Sequence, residues 1–384
     1  MKVAVLGYGT VGAGVYSMLS DAPGMEAGPV LVRPGKAVES FMVSDTALIF
    51  GDPTVDAVVE TLGGLDPAYS YGMRALEAGK HFITANKAMV ASHGLELAAL
   101  ARETGAAFLF SAACGGGVPF LHNLALSAET DRIEAVSGIL NGTTNYMLDA
   151  MQRRGLSYGD ALREAQSLGY AESDPTADVS GLDALRKMQL ACAVAFGVLP
   201  QSGMLCEGME HFTAADVEDI QSRGLVCRLL ARGSRAGESV SAYVEPVLFP
   251  RAAPESSVFT NNNMARYTGK RCGSIVLMGQ GAGRFPTASA VLRDLSAAQQ
   301  GARPMFPENC RAAEADNREA VHSYYIRTGG FAAVRLPLRS VLAQGEVVRA
   351  VTEPMSAEKM HALAQNIRKD GNDLFFAALE EELC

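Results

Sequence analysis

The run Gly7-Tyr8-Gly9-Thr10-Val11-Gly12 constrains this chain more than any other feature. It has the spacing G-x-G-x-x-G, it directly follows the apolar run KVAVL at residues 2–6, and a helical pattern opens behind it near residues 15–19. A buried strand that turns tightly into a helix leaves free N–H groups at the helix start, where a phosphate is stabilised. Gly7 permits the turn, Gly9 leaves room for a pyrophosphate against the backbone, and Gly12 lets helix and strand pack closely. The spacing alone occurs in unrelated α/β turns; the strand–turn–helix context makes it read as a dinucleotide site.

The first third continues in the same rhythm. Short apolar runs at residues 30–32, 56–60, 81–84 and 107–110 alternate with helical patterns near 68–78 and 95–103. Such alternation builds βαβ units and a parallel sheet. The middle differs: a strand at 133–140, helices near 144–152, 158–167 and 182–196, strands near 239–247 and 274–278, and a glycine-rich turn at 279–283 before a helix at 287–295. Residues 301–317 read as a surface loop or linker. The tail has strand patterns at 322–327 and 346–351 and a helix at 356–368 with Ser356 as N-cap. Residues 374–379 fit a last strand or helix. The expected fold is α/β: a Rossmann-type parallel-sheet domain over residues 1–115, completed by about 281–305, an α+β domain over 116–280, and a small α+β tail over 322–384.

Composition excludes several classes. The 384 residues are 48% hydrophobic and 20% charged, which is globular usage. A net charge of −9 argues against a nucleic-acid backbone or an anionic membrane as partner, since both need a basic face. No apolar run approaches the ~20 residues that span a bilayer. The apolar N-terminal run stops at Gly7, so no signal peptide is expected. The seven cysteines are scattered without C-x-x-C, which suits a reduced, cytoplasmic setting. No His or Cys spacing suggests zinc.

Cofactor choice is read at the end of the second strand. An acid there grips the ribose 2′-OH of NAD; an arginine suits the 2′-phosphate of NADP. The chain reads Val32-Arg33-Pro34-Gly35-Lys36, with no acid before Glu39. Arg33 favours NADP, although a solvated surface arginine would read the same. Asn86-Lys87 follows the 81–84 strand, and the carboxyl ends of parallel strands bind ligands. Lys87 is therefore a candidate between cofactor and substrate; taken alone it also fits a surface lysine.

The densest chemistry lies in Gly169-Tyr170-Ala171-Glu172-Ser173-Asp174-Pro175-Thr176-Ala177-Asp178, followed by Gly181-Leu182-Asp183 and Lys187. Pro175 and its small polar neighbours make 172–180 a loop. Asp183 and Lys187 are i, i+4 on the apolar helix that follows, so they share a face. Partial burial and a neighbouring carboxylate shift a lysine in opposite directions, as a proton-transfer group between hydroxyl and carbonyl requires. Glu172 and Asp178 are positioned to hold an ammonium group. On spacing alone the pair also fits a surface ion pair beside an acidic loop. Cys114, in Ser111-Ala112-Ala113-Cys114-Gly115-Gly116-Gly117, is a weaker candidate nucleophile, with no histidine near in sequence.

Taken together, G-Y-G-T-V-G, T-A-N-K (84–87), G-G-G-V-P (115–119), G-I-L-N-G-T-T-N-Y (138–146), G-Y-A-E-S-D-P-T-A-D-V-S-G-L-D-A-L-R-K (169–187) and G-A-G-R-F-P-T-A-S-A-V (281–291) resemble the homoserine dehydrogenase family, in that family's order, over roughly residues 1–300. The resemblance implies NAD(P)-dependent interconversion of L-homoserine and L-aspartate 4-semialdehyde, in threonine, methionine and isoleucine biosynthesis. It also implies a cytoplasmic homodimer or homotetramer whose second domain serves catalysis and dimerisation. By match to the motifs, Lys187 is the proton-transfer lysine with Asp183 beside it, and Lys87 lies between nicotinamide and substrate. Glu172 and Asp178 face the substrate ammonium. Gly7, Gly9, Thr10, Val11, Gly12, Arg33 and Gly283 line the NADP or NAD site.

The chain also departs from the family. A glutamate usual at position 111 is Ser111 here, which makes a monovalent-cation site on the carbonyls of Cys114, Gly116 and Val118 doubtful. The tail resembles an ACT-type regulatory domain in pattern, but it reads Gly329-Gly330-Phe331 where that domain starts its first helix with P-G-V-L. Two other readings stand beside the main one. One is an aspartate-semialdehyde dehydrogenase using Cys114; the other is a non-catalytic NADP-sensing protein on the same scaffold.

Overall fold

A computed structural model describes residues 1–380. The chain divides into two units. The first holds Met1–Ile133, Gln189–Leu199 and Gly269–Ala312; the second holds Glu134–Met188, Pro200–Thr268 and the described part of Ala313–Cys384.

The first stretch runs β1 (Lys2–Leu6), α1 (Thr10–Leu19), β2 (Glu26–Leu31), β3 (Met42–Val43), α2 (Ala47–Phe50), β4 (Ala57–Glu60), α3 (Ala68–Glu77), β5 (His81–Thr84), α4 (Lys87–Thr104) and β6 (Phe108–Leu109). The strands pair in parallel in the order β3-β2-β1-β4-β5-β6. Strand order therefore reverses between β1 and β4, and the crevice beyond their carboxyl ends is the ligand position of such sheets. Val3, Val5, Val58, Val59 and Ile83 are wholly buried, as expected of parallel strands covered on both faces. Helix α1 begins at Thr10, five residues before the apolar periodicity. Its first turn contains exposed Thr10 and half-buried Val11, so no periodic apolar face marks it.

The chain continues through α5 (Phe120–Thr130), β7 (Ile133–Ile139), α6 (Gly142–Arg154), α7 (Tyr158–Ser167), α8 (Thr176–Val179), α9 (Leu182–Phe196), β8 (Val198–Ser202), β9 (Leu205–Cys206), α10 (Ala214–Ser222), β10 (Leu225–Ala236), β11 (Ser239–Pro250), β12 (Asn262–Gly269), β13 (Gly273–Gln280), α11 (Arg284–Gln299) and β14 (Arg311–Glu314). The expected loop at 172–180 contains the single turn α8, opened by Asp174, whose carboxylate accepts from Thr176 N–H and Oγ1. The expected linker at 301–317 contains strand β14.

The largest correction is the hairpin β10–β11, paired over twelve positions, of which the sequence pattern shows only the second strand. Arg228, Arg232 and Arg235 disguise β10 as a polar segment. Arg228 is nevertheless buried, and its guanidinium donates to the carbonyls of Cys227, Glu255 and Ser256. A buried cation is tolerated when its donors are met in this way.

The tail adds β15 (Val321–His322), β16 (Tyr324–Gly329), α12 (Gly330–Ala333), β17 (Leu338–Ala343), β18 (Val347–Thr352), β19 (Met355–Ser356), α13 (Ala357–Lys369) and β20 (Leu374–Leu379). Its main strands lie in the order β20-β16-β18-β17, antiparallel throughout, with only one turn of helix between β16 and β17. The edge strand β20 pairs in parallel with β11 at Val247–Ala378 and Leu248–Leu379. The tail thus shares one sheet and one apolar core with the rest of the second unit, with Val247 and Phe249 of β11 among Ile326, Met360 and Phe376 of the tail.

Candidate active site

In the first unit, β1 passes into α1 through Gly7, whose φ of +98° lies in the region that favours glycine. A Cβ at Gly12 would lie 2.1 Å from the Gly7 carbonyl oxygen, so only glycine fits there. At Gly9, the N-cap of α1, a Cβ would meet nothing within 4 Å, and no side chain caps the helix. The N-terminus headed by Thr10 and Val11 therefore faces open space with uncapped N–H groups, as an anionic pyrophosphate requires. Gly283, at φ +118°, is the N-cap of α11. The next residue, Arg284, packs its Cγ where a Cβ on Gly14 of α1 would lie, bringing this glycine turn beside the same helix. Arg33 is exposed two residues beyond β2, in a turn closed by Lys36 N–H on its carbonyl at 3.0 Å. These residues fit a dinucleotide.

Lys87 is the first residue of α4, at the carboxyl end of β5, and its position is set by a buried network that sequence reading missed. Glu60 ends β4 fully buried. Its Oε1 accepts from Leu62 N–H at 2.6 Å and Gly63 N–H at 3.2 Å, and its Oε2 accepts from Thr84 Oγ1 at 2.6 Å. Thr84 Oγ1 in turn accepts from Asn86 N–H. The Asn86 side chain donates to the Gly64 carbonyl and accepts from Met89 N–H, capping α4. The motif Glu60-Thr61-Leu62-Gly63-Gly64 after a strand was the available signal.

In the second unit, Asn141 organises the acidic residues. Its Oδ1 caps α6 by accepting from Thr144 N–H at 2.8 Å, which fixes the orientation of the amide. Its Nδ2 then donates to Asp178 Oδ1 at 2.7 Å and to Asp183 Oδ2 at 2.9 Å. Lys187 Nζ lies 2.7 Å from Asp183 Oδ2 and donates to the Leu140 carbonyl at 2.6 Å. Lys187 is 8% exposed, so the pair is no solvated surface bridge. Burial holds the Asp178 carboxyl above its ordinary range, with the Asp183 charge adding to the effect and the Asn141 hydrogen bond opposing it. Asp178, Asp183 and Lys187 are thus brought together around Asn141. Glu172 is not: its side chain is exposed, and its loop is tied down by Gln166, whose Nε2 donates to the Glu172 carbonyl at 3.1 Å.

The 111–118 loop belongs to the first unit. Cys114 is fully buried, which does not suit a nucleophile that must reach substrate. Ser111 contributes a neutral buried hydroxyl where the resemblance expects a carboxylate. Its N–H donates instead to Asp294 Oδ2 at 2.8 Å, and burial pushes the Asp294 carboxyl up to about 7. The Arg293 guanidinium donates to the Gly117 carbonyl at 3.0 Å, placing a fixed positive charge against the loop. A neutral residue at position 111 and a guanidinium against the loop do not fit a monovalent cation there. Among the described residues no group of three or more His, Cys, Asp or Glu could hold a metal. A separate cavity of about 1120 Å³ opens at the amino end of β5, lined by His81, Arg102, His122 and Arg303 among others, and includes none of these site residues.

The chain matches two family profiles. "Homoserine dehydrogenase, NAD binding domain" covers residues 7–111, and "Homoserine dehydrogenase" covers residues 119–296. The homoserine dehydrogenase of Synechocystis sp. is 38% identical over 319 residues, 77% of this chain and 72% of the relative. That of Corynebacterium glutamicum is 38% identical over 313 residues, covering 76% and 70%. The crystal structure of a homoserine dehydrogenase from Thiobacillus denitrificans superposes with a TM-score of 0.87 at 29% identity, covering 99% of this chain and 98% of that one. A hyperthermophilic archaeal homoserine dehydrogenase solved in complex with NADPH superposes with a TM-score of 0.67 at 25% identity, covering 81% and 99%. With the dinucleotide turn and the Asn141 cluster in place, these likenesses lead to one conclusion: the chain belongs to the homoserine dehydrogenase family.

Proposed function

We propose that the cluster of Asn141, Asp178, Asp183 and Lys187 carries the chemistry of an NAD(P)-dependent oxidoreductase acting on the hydroxyl of L-homoserine and, in reverse, on L-aspartate 4-semialdehyde. When bound, the nicotinamide supplies or accepts the hydride. The chain's own residues handle the proton and the substrate's charge. In oxidation the neutral Lys187 amine takes the hydroxyl proton and becomes an ammonium; in reduction that ammonium gives a proton to the forming alkoxide and returns to the amine. Asp183 keeps the resulting ammonium in place. Asp178 and Asp183 hold the substrate ammonium, and Glu172, from its exposed loop, adds a third carboxylate when substrate binds.

The observation that carries this reading is the Asn141 amide donating to two carboxylates beside a buried lysine. A merely NADP-sensing protein has no use for a lysine buried at an energetic cost next to such a pair. We assign residues 1–115 with about 281–305 to cofactor, 116–280 to substrate and contact between copies, and 322–384 to the tail. Alternate residues Val276 and Met278 of β13 are 42% and 59% exposed, which supports a homo-oligomer. Cofactor preference follows Arg33 toward NADP. The decisive assay is oxidation of NADPH by L-aspartate 4-semialdehyde, run beside NADH. Turnover with neither cofactor would sink the reading; a preference for NADH would remove only the NADP assignment.

A further inference from the structure

The tail does more than extend the sheet. Arg368 of α13 forms a bidentate pair with Glu207: Nη1 to Oε2 at 2.9 Å and Nη2 to Oε1 at 2.6 Å. Both side chains are largely buried, 19% and 10% exposed. The guanidinium is itself fixed, because Nε and Nη2 donate to the Leu374 carbonyl at 3.1 and 2.7 Å. Paired forks of this kind add direction as well as charge attraction.

Glu207 belongs to a short strip, residues 205–209, that lies against the α8–α9 junction. On one side β9 pairs with β11, and Glu207 N–H donates to the Val244 carbonyl at 2.8 Å. On the other side Cys206 Sγ donates to the Ser180 carbonyl at 3.0 Å, and Met209 N–H donates to the Val179 carbonyl at 2.9 Å. The approach is close enough to need glycines. A Cβ on Gly208 would lie 2.3 Å from the Val179 carbonyl oxygen, and one on Gly181 would lie 3.1 Å from Cys206 Sγ. Val179 follows Asp178, and Asp183 comes two residues after Gly181. The strip therefore holds the backbone between the two carboxylates that Asn141 joins.

We propose that Arg368 is a positioning residue for the substrate-ammonium site: through Glu207 it locks the 205–209 strip, which fixes the separation of Asp178 and Asp183. This rests on the reading of that site given above. The tail is then a buttress, and its contribution falls on substrate binding rather than on cofactor binding.

Arg368→Ala, Arg368→Lys, Glu207→Gln and the Arg368→Ala/Glu207→Gln double variant are compared in the full-length protein. The measurements are KM for homoserine, kcat, NADPH affinity by fluorescence, and hydrogen exchange of residues 176–183. Arg368→Ala is expected to raise KM about tenfold, with NADPH affinity unchanged and faster exchange at 176–183. Arg368→Lys should recover part of the effect, since it keeps the charge but loses the fork. The double variant should be no worse than the worse single, because both remove one interaction. Unchanged KM in Arg368→Ala, even with a lowered Tm, would overturn the proposal, as would an equal loss of homoserine and NADPH binding. If wild-type protein does not turn over homoserine, the site reading fails separately, and hydrogen exchange alone decides. Faster exchange confined to 176–183 supports the coupling, and unchanged exchange overturns it.

Discussion

Lys187 Nζ lies 2.7 Å from Asp183 Oδ2, one turn further along the same helix. The Asp183 carboxylate favours the charged lysine, whereas the buried setting disfavours it. Lys187→Ala should lower kcat by roughly 10²–10⁴-fold, the usual range for a general acid–base group. NADPH affinity should change little. Near-normal kcat in the variant would remove Lys187 from the mechanism.

The Asn141 amide opposes the burial that raises the Asp178 carboxyl. The carboxyl is already above its ordinary range, chiefly because it is half-buried. Only its ionised form attracts an ammonium, so KM for homoserine should rise as pH falls through that raised pKa. Asn141→Ala removes the hydrogen bond that favours the carboxylate and should move this rise to higher pH. A KM profile that keeps its position in the variant would count against the assignment.

Arg33 and Lys36 share one exposed turn past β2. A 2′-phosphate carries about two negative charges, and hydrogen bonds to charged groups contribute ~1.5–3 kcal/mol. The double variant Arg33→Ala/Lys36→Ala should raise KM for NADPH about tenfold or more and leave KM for NADH nearly flat. Equal effects on both cofactors would make Arg33 an ordinary surface residue.

Asp294 predicts a stability effect. Burial raises its carboxyl to about 7, against ~3.9 in an unfolded chain. Between those values the folded state keeps a proton that the unfolded state has released. Its contribution to stability is therefore most favourable at low pH, falls as pH rises from ~4 to ~7, and is level above. Asp294→Asn accepts the same Ser111 hydrogen bond without titrating. The difference in Tm between variant and wild type should grow across that window; a constant difference would show that Asp294 stays ionised when folded.

The sequence by itself determined the local features. G-x-G-x-x-G after an apolar run encodes the β1–α1 turn, because its glycines answer to contacts within a few residues, such as Gly12 against the Gly7 carbonyl. The i, i+4 spacing of Asp183 and Lys187 likewise encodes their pairing, since helix geometry alone brings them together. Tertiary structure decided the rest. Asn141 reads as one polar residue in a turn until folding places Asp178 and Asp183, 37 and 42 residues later, on its amide. Strand β10 is hidden by its arginines, of which Arg228 is buried with its donors met by the distant carbonyls of Glu255 and Ser256. Glu172, grouped with Asp178 by sequence proximity, is exposed, and its backbone carbonyl accepts from Gln166. Arg368 meets Glu207 across 161 residues only because β20 joins the sheet beside β11. Spacing fixes what one turn or one hairpin can bring together; contacts between separate elements depend on sheet order and register, which no short motif carries.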